Sequence, residues 1–337
     1  MFSRAKRFLN RNNPGIHPVR IRRRRCAYRS PHGYCSLKTL QLAVATEDFG
    51  QPLRQAILSA ARNPVQGLRL NARTEVRPEE FSDTAIRQLK HMVEEHQLRV
   101  AGLMYSSRHS LQDPQHLDQR LDGIRTAMTQ VRKLGTSELL VRVGKIPDPD
   151  QQQAVASVGG PTNADVDSLR NPFSFAPSPQ TGLSGQASEA RQFELLCDIV
   201  NDLIAYGSRH GAVLQLQLTA LDTGRIQRLL SRTKNGAVGI VFDPATCVMN
   251  GRSPIAQFRE LYDRIGYVRA RDAQKDVDGG GVEVPLGDGI VDWTELLPTL
   301  MEADYDGWFC LERTGGDQRA DDVVSAVKAI RQLLPGQ

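Results

Sequence analysis

Long apolar runs are missing from this chain, and so are paired cysteines. Hydrophobic residues fill 40% of its 337 positions, yet no stretch is long enough to cross a bilayer, so no membrane span is expected. The five cysteines, Cys26, Cys35, Cys197, Cys247 and Cys310, are odd in number and scattered, with no CxxC or CxxxC pair to form a metal knuckle. That usage suits a reduced, cytoplasmic protein, with Cys197 and Cys310 as packing residues. No glycine-rich phosphate loop follows the first β-rich run, which weighs against a dinucleotide-binding fold. Acidic residues are absent from positions 1–37, which hold ten basic ones.

That last absence explains the charge. The net value of +5 belongs to the first 37 residues; the rest has 33 basic and 38 acidic residues, a body of about −5. The body therefore offers no general case for nucleic-acid binding. The segment 1–37 combines arginine clusters with Pro14, Pro18 and Pro31, and cannot bury enough apolar surface to offset its ordering entropy, so disorder is expected there. Its Arg22–Arg25 run could touch nucleic acid or anionic lipid. It could belong to a targeting segment, although no apolar stretch follows, or be an upstream extension without function.

The body, 38–337, alternates. Short β-rich runs near 40–45, 67–71, 100–105, 139–143, 213–218, 239–243, 267–271 and 308–312 are each followed by a helical pattern. The helices fall near 52–62, 83–96, 117–134, 190–210, 223–232, 254–264, 292–303 and 320–334. Within 83–96, Ile86, Leu89 and Met92 recur at helical spacing. Leu134-Gly135 and His210-Gly211 read as helix ends closed by glycine. Eight such units imply a parallel sheet with right-handed crossovers, closed into a (β/α)₈ barrel, with an open doubly wound sheet as the alternative. Any site then lies at the carboxyl ends of the strands. Residues 146–189, rich in Pro, Gly, Ser and Gln, break the rhythm as a long loop. It is either a lid over that face, with Phe173 and Phe175 as anchors, or an insertion without function.

The strand ends carry the polar residues. The fourth strand ends in Arg142 and Lys145, and the fifth holds Gln215 and Gln217. The sixth ends in Asp243, the seventh in Arg269, Arg271 and Asp272, and the eighth in Glu312 and Arg313. Nearby, Tyr105 and His109 could line a pocket or simply lie on the surface. Cys247 has no assured cationic neighbour to make it a reactive thiolate, and Trp293 and Trp308 read as packing residues.

Four segments carry a resemblance. Phe242-Asp243-Pro244, the run Ile265 to Asp272 (IGYVRARD), the turn Pro285 to Trp293 (PLGDGIVDW), and Tyr305 to Glu312 (YDGWFCLE) occur in the order and spacing of the xylose isomerase-like barrel family. That family includes sugar isomerases and epimerases and the endonuclease IV branch. The resemblance implies one divalent cation, such as Mn²⁺ or Mg²⁺, held by Glu, Asp, His and Glu on strands five to eight. The metal would polarise the substrate while the outer two carboxylates move a proton. Asp243 and Glu312 match that pattern. Gln217 stands where the first Glu belongs, Arg269 where the His belongs, and Thr246 replaces the histidine after the Asp-Pro pair.

These departures change the chemistry. Gln217 is neither base nor anion, and Arg269 is always protonated and cannot ligate a cation. No histidine follows His210. No bound metal is therefore expected; Asp243 and Glu312 would be its residual ligands. Arg269 would lie between those two carboxylates in the cation's place. One reading is a structural charge cluster in a site without catalysis. Another is a pocket for an anionic or polyhydroxylated ligand using Arg142, Lys145, Arg269 and Lys275, with Gln217 and Asp272 beside them. If the protein is an enzyme, Glu312 is the candidate base, with Asp243 beside it and Arg269 stabilising enediolate charge. The expected partner is a small sugar or sugar-derived acid, bound or turned over, with homo-oligomerisation open. A non-catalytic barrel binding carbohydrate or protein is the alternative.

Overall fold

Each β-rich run is a strand and each of the eight helical patterns a helix. The computed structural model describes residues 40–77, 81–148, 181–220, 222–233, 238–277 and 279–334, with 181–188 described by backbone alone. The expectations for 1–37, and for most of the 146–189 loop with Phe173 and Phe175, lie outside these residues.

The strands β1 (Gln41–Ala45), β2 (Gly67–Asn71), β3 (Arg99–Tyr105), β4 (Glu138–Gly144), β5 (Val213–Leu218), β6 (Val238–Phe242), β7 (Ile265–Ala270) and β10 (Trp308–Leu311) close into one barrel, every pair parallel. The helices α1 (Leu53–Ala61), α2 (Asp83–Glu95), α3 (Leu117–Lys133), α4 (Thr181–His210), α5 (Thr223–Ser231), α7 (Pro254–Leu261), α8 (Trp293–Glu302) and α9 (Arg319–Leu333) alternate with them. The open-sheet alternative is thereby removed. Local chemistry sets the helix limits. Ser82, Asp222, Ser253 and Asp292 each accept an amide hydrogen three residues on. Gly135 and Gly211, at φ of +85° and +70°, end α3 and α4 in the left-handed region that side-chain-bearing residues avoid. Among the described residues no helix is long and apolar enough to cross a membrane.

Three features were not in the sequence reading. Helix α4 begins at Thr181, inside the stretch read as loop. A short helix α6 (Pro244–Met249) follows β6, with Asp243 as its N-cap and proline at its first position. An antiparallel hairpin of β8 (Asp272–Lys275) and β9 (Gly281–Val284) leaves the carboxyl end of β7. Asp272 ties this hairpin down. Its carboxylate accepts from the amides of Ala273, Gly287 and Val291 and from the Trp293 indole, at 2.9, 3.0, 3.2 and 2.9 Å. A Cβ on Gly289 would collide with that carboxylate. The Pro285 to Trp293 turn is thus a wrapping for one buried aspartate.

Alternation along the strands fills the barrel in layers. At the amino end, Gln215 lies against Gly239 and Gly266 and donates to Glu138 at 2.6 Å, while the Trp308 ring covers Gly67. Ala43, Ala101, Leu140, Val241, Tyr267 and Cys310 form the middle. Two residues further along, the inward positions become Arg69 on β2, Arg142 on β4, Gln217 on β5, Arg269 on β7, and Asp243 and Glu312 just past β6 and β10. Gln215 therefore belongs to the amino-end plug. Trp293 and Trp308 pack as expected, as do Cys197 and Cys310, which are buried free thiols.

Candidate functional site

The carboxyl end of the barrel has two unlike sides. On one, Glu312 sits with a fully buried side chain between two guanidiniums. Arg69 Nε donates to Oε1 at 2.9 Å; Arg269 Nε donates to Oε2 at 2.7 Å, with its Nη2 in ion-pair contact with the same oxygen at 2.5 Å. Burial by itself would raise the Glu312 carboxyl, but Arg269 and then Arg69 more than reverse this and hold it at about 2. Asp243 is saturated in the same way. Arg271 donates to Oδ2 from Nε at 3.0 Å and Nη2 at 2.6 Å, Arg269 Nη1 lies 3.7 Å from it, and Oδ1 caps α6 through the Thr246 amide at 3.2 Å.

The network extends outward. Arg69 Nη2 reaches Glu47 at 2.8 Å, and Asn71 donates to the other Glu47 oxygen at 2.6 Å. Arg271 Nη1 meets Glu283 of the hairpin at 3.3 Å, and Glu283 also accepts from the Thr314 amide at 2.9 Å. Below it, Asp48 accepts from the Arg313 amide at 2.9 Å; burial, and next the charge of Glu312, push its carboxyl up to about 7. Burial would lower the Arg269 and Arg69 guanidiniums, but the carboxylates around them raise both.

The structure brings Asp243, Arg269 and Glu312 together, with Arg269 between the two carboxylates. Sequence reasoning missed Arg69, Glu47, Asp48 and Glu283, and gave Arg271 no partner. The alternation that puts Gly67 and Arg69 on one face was a usable signal for Arg69. Glu283 carried none, because the hairpin was not foreseen. Arg269, with 4% side-chain exposure, has its guanidinium turned to carboxylates and is not open to a ligand. Asp272 is likewise taken up by the hairpin, and cannot serve as a substrate-binding group. Glu312 acting as a base would have to compete with Arg69 on one oxygen and Arg269 on the other. Burial, and then the charge of Asp243, push the Cys247 thiol up, away from a reactive thiolate.

The arrangement also bears on the divalent cation implied by resemblance. Two of its four corners are Gln217 and Arg269, and each oxygen of Asp243 and Glu312 already accepts a hydrogen bond. Among the described residues no group of three His, Cys, Asp or Glu could hold a metal ion. The residues present do not fit such a cation.

The other side is open. Loops after β2 and β3, the end of β4 and the flank of α3 enclose a cleft of about 1090 Å³. Arg142, Tyr105 and His109 line it; Lys145 and Lys275 are exposed and do not. Arg142 is exposed and, among the described residues, donates once, to the Ser107 carbonyl at 3.4 Å. His109 pairs with Asp113 at 3.0 Å. Gln217 stands in register with Arg142 on the neighbouring strand, and its buried Oε1 has no hydrogen-bond partner among the described residues.

Comparison with known proteins agrees with this architecture. An inosose dehydratase from Lacticaseibacillus casei is 28% identical over 126 residues, spanning 33% of this chain and only 42% of that enzyme. A xylose isomerase-like TIM barrel protein from Mycobacterium smegmatis, solved in complex with magnesium, is similar with a TM-score of 0.63 at 15% identity, covering 88% of this chain and 97% of that one. A D-allulose 3-epimerase from Methylomonas sp., solved with D-allulose, gives a TM-score of 0.60 at 17% identity, covering 88% and 98%. The xylose isomerase-like TIM barrel family matches residues 64–333, and the chain belongs to that family.

Proposed function

We propose that this member of the sugar isomerase and epimerase-like barrels binds a small sugar or sugar-derived acid at its carboxyl face without the divalent metal. The observation that carries the reading is the saturation of Asp243 and Glu312 by Arg69, Arg269 and Arg271. A cation at this place would have to displace guanidiniums from buried carboxylates, leaving their charges unpaired. Proton transfer by Glu312 is disfavoured for the same reason: a carboxyl held at about 2 is a weak base at neutral pH. Binding without metal-assisted turnover therefore fits better than isomerisation. The class of ligand is supported by the relatives, an inosose dehydratase and an epimerase bound to D-allulose. In this reading Gln217 accepts from a ligand hydroxyl and Arg142 donates to the same molecule, with Lys145 and Lys275 further out on the rim. A cytoplasmic setting goes with the free buried cysteines.

Titration of the full chain with Mn²⁺, Mg²⁺, Co²⁺ and Zn²⁺ while following thermal unfolding tests this. A cation that binds the folded state raises the midpoint by mass action. No rise is expected. A saturable rise that disappears in Glu312→Ala would overturn the reading.

A further inference from the structure

We infer that the cleft beside β2, β3 and β4 is an oxyanion site that takes the carboxylate or phosphate group of its small polyhydroxylated ligand on Arg73, Arg108 and Arg142. This deepens the reading above by naming the group recognised, and rests on it.

Charge is the first reason. Arg73, Arg77, Arg108, Arg120 and Arg142 line the cleft, and Asp122 is the one acid among its described lining residues. Like charges brought together in a concavity raise the local potential and draw in an anion. The second reason is how little these groups are used. Arg142 makes a single long bond to a carbonyl, and exposed Arg108 makes none among the described residues. Arg73 is steadied rather than neutralised: Nη1 donates to the Ser106 carbonyl at 2.8 Å, and its guanidinium lies 5.6 Å above the Tyr105 ring. Guanidinium groups held by carbonyls and a ring keep their full charge and spare donors, and their fork geometry matches carboxylate and phosphate oxygens.

Shape and position agree. Tyr105 forms a wall, seated where Gly123 leaves room; a Cβ there would collide with the Tyr105 hydroxyl. A cleft of about 1090 Å³ suits a small molecule. Arg142 is in register with Gln217 on β5, so an oxyanion on Arg142 sits at the carboxyl end of the barrel.

The test is calorimetric titration of the full chain at low ionic strength with inorganic phosphate, D-gluconate, glucose 6-phosphate and neutral D-glucose. The unsubstituted chain and the double variant Arg108→Gln/Arg142→Gln are compared. At least one anion should bind, with affinity falling about tenfold or more in the double variant, since charge-assisted hydrogen bonds are lost. The preferred anion identifies the source as carboxylate or phosphate monoester. Both substituted residues are exposed, so the ligand-free melting point should hold. Added salt should also weaken anion binding to the unsubstituted chain, a readout free of any mutation. The inference is overturned if no anion binds, if the double variant binds anions undiminished, or if salt has no effect. D-glucose binding with no anion binding would sink the oxyanion site and leave the metal-free reading standing. A Mn²⁺-dependent stabilisation lost in Glu312→Ala would instead remove that reading.

Discussion

Two groups of arginines stand at one barrel mouth, and they live under opposite conditions. Arg69 and Arg269 are buried, Arg271 is half-buried, and all three are tied to Glu47, Asp243, Glu283 and Glu312. Arg73, Arg108 and Arg142 line an open cleft whose one acid among the described lining residues is Asp122, and none of the three is ion-paired among the described residues. A charge taken out of water must be paired, so the first group is a structural cluster whose members cannot be spared singly. A charge left at the rim of a cavity costs little and can wait for a ligand. The same residue type thus closes one half of the mouth and equips the other.

The sharpest way to break this contrast is to unpair the closed side. Arg269→Met leaves Asp243 and Glu312 buried with fewer partners and should destabilise by about 3–5 kcal/mol in urea unfolding. A loss under about 1 kcal/mol would mean the cluster is not structural. A pH series probes the same side. The Glu312 carboxyl, held at about 2 against an ordinary 4.5, contributes stability that is full above pH 4.5 and lost as pH falls toward 2. Asp48, raised from 3.8 to about 7, works in reverse: the folded state gains from its protonated form, and that gain is lost as pH rises through this window. Asp48→Asn should still accept from the Arg313 amide. It should flatten the fall in melting temperature between pH 5 and 8; an unchanged slope would show that Asp48 ionises normally.

The open side gives smaller effects on stability. Gly123→Ala places a methyl against the Tyr105 hydroxyl and should cost about 1–3 kcal/mol by overpacking, while disturbing the cleft wall and weakening phosphate binding. Full retention of both would show that Tyr105 moves aside freely. Smallest is Arg142→Gln, which should alter stability by no more than about 0.5 kcal/mol while weakening the bound anion. A large stability loss there would place Arg142 with the structural arginines and erase the contrast.

Much of this molecule could be read from residues alone. Short β-rich runs such as Gly67 to Asn71 and Trp308 to Glu312, set between helical patterns, specify parallel strands joined by crossovers. Eight of them favour closure because an open sheet would leave two edges to cover. The pairing of Arg269 with Asp243 and Glu312 was legible too, since all three fall at inward positions of neighbouring strands. The hairpin escaped detection because β8 and β9 have only four residues each, and β8 (DAQK) has no apolar alternation. What holds them is a single carboxylate, Asp272, reached by amides up to nineteen positions away.

By itself the sequence determined the barrel and its strand order, and set Gln217 and Arg269 at strand ends where the family resemblance implies metal ligands. Those follow from local periodicity and from the chemistry of each side chain, which travel with the chain. Only the tertiary structure decided that Arg69 would complete the closure of Glu312, 243 positions away, and that Arg73, Arg108 and Arg142 would share one cleft. Barrel closure brings β2 to β10 and sets the loops after β2 and β3 beside β4. The electrostatic fate of each arginine depends on that distance and on burial, and neither is written in local sequence.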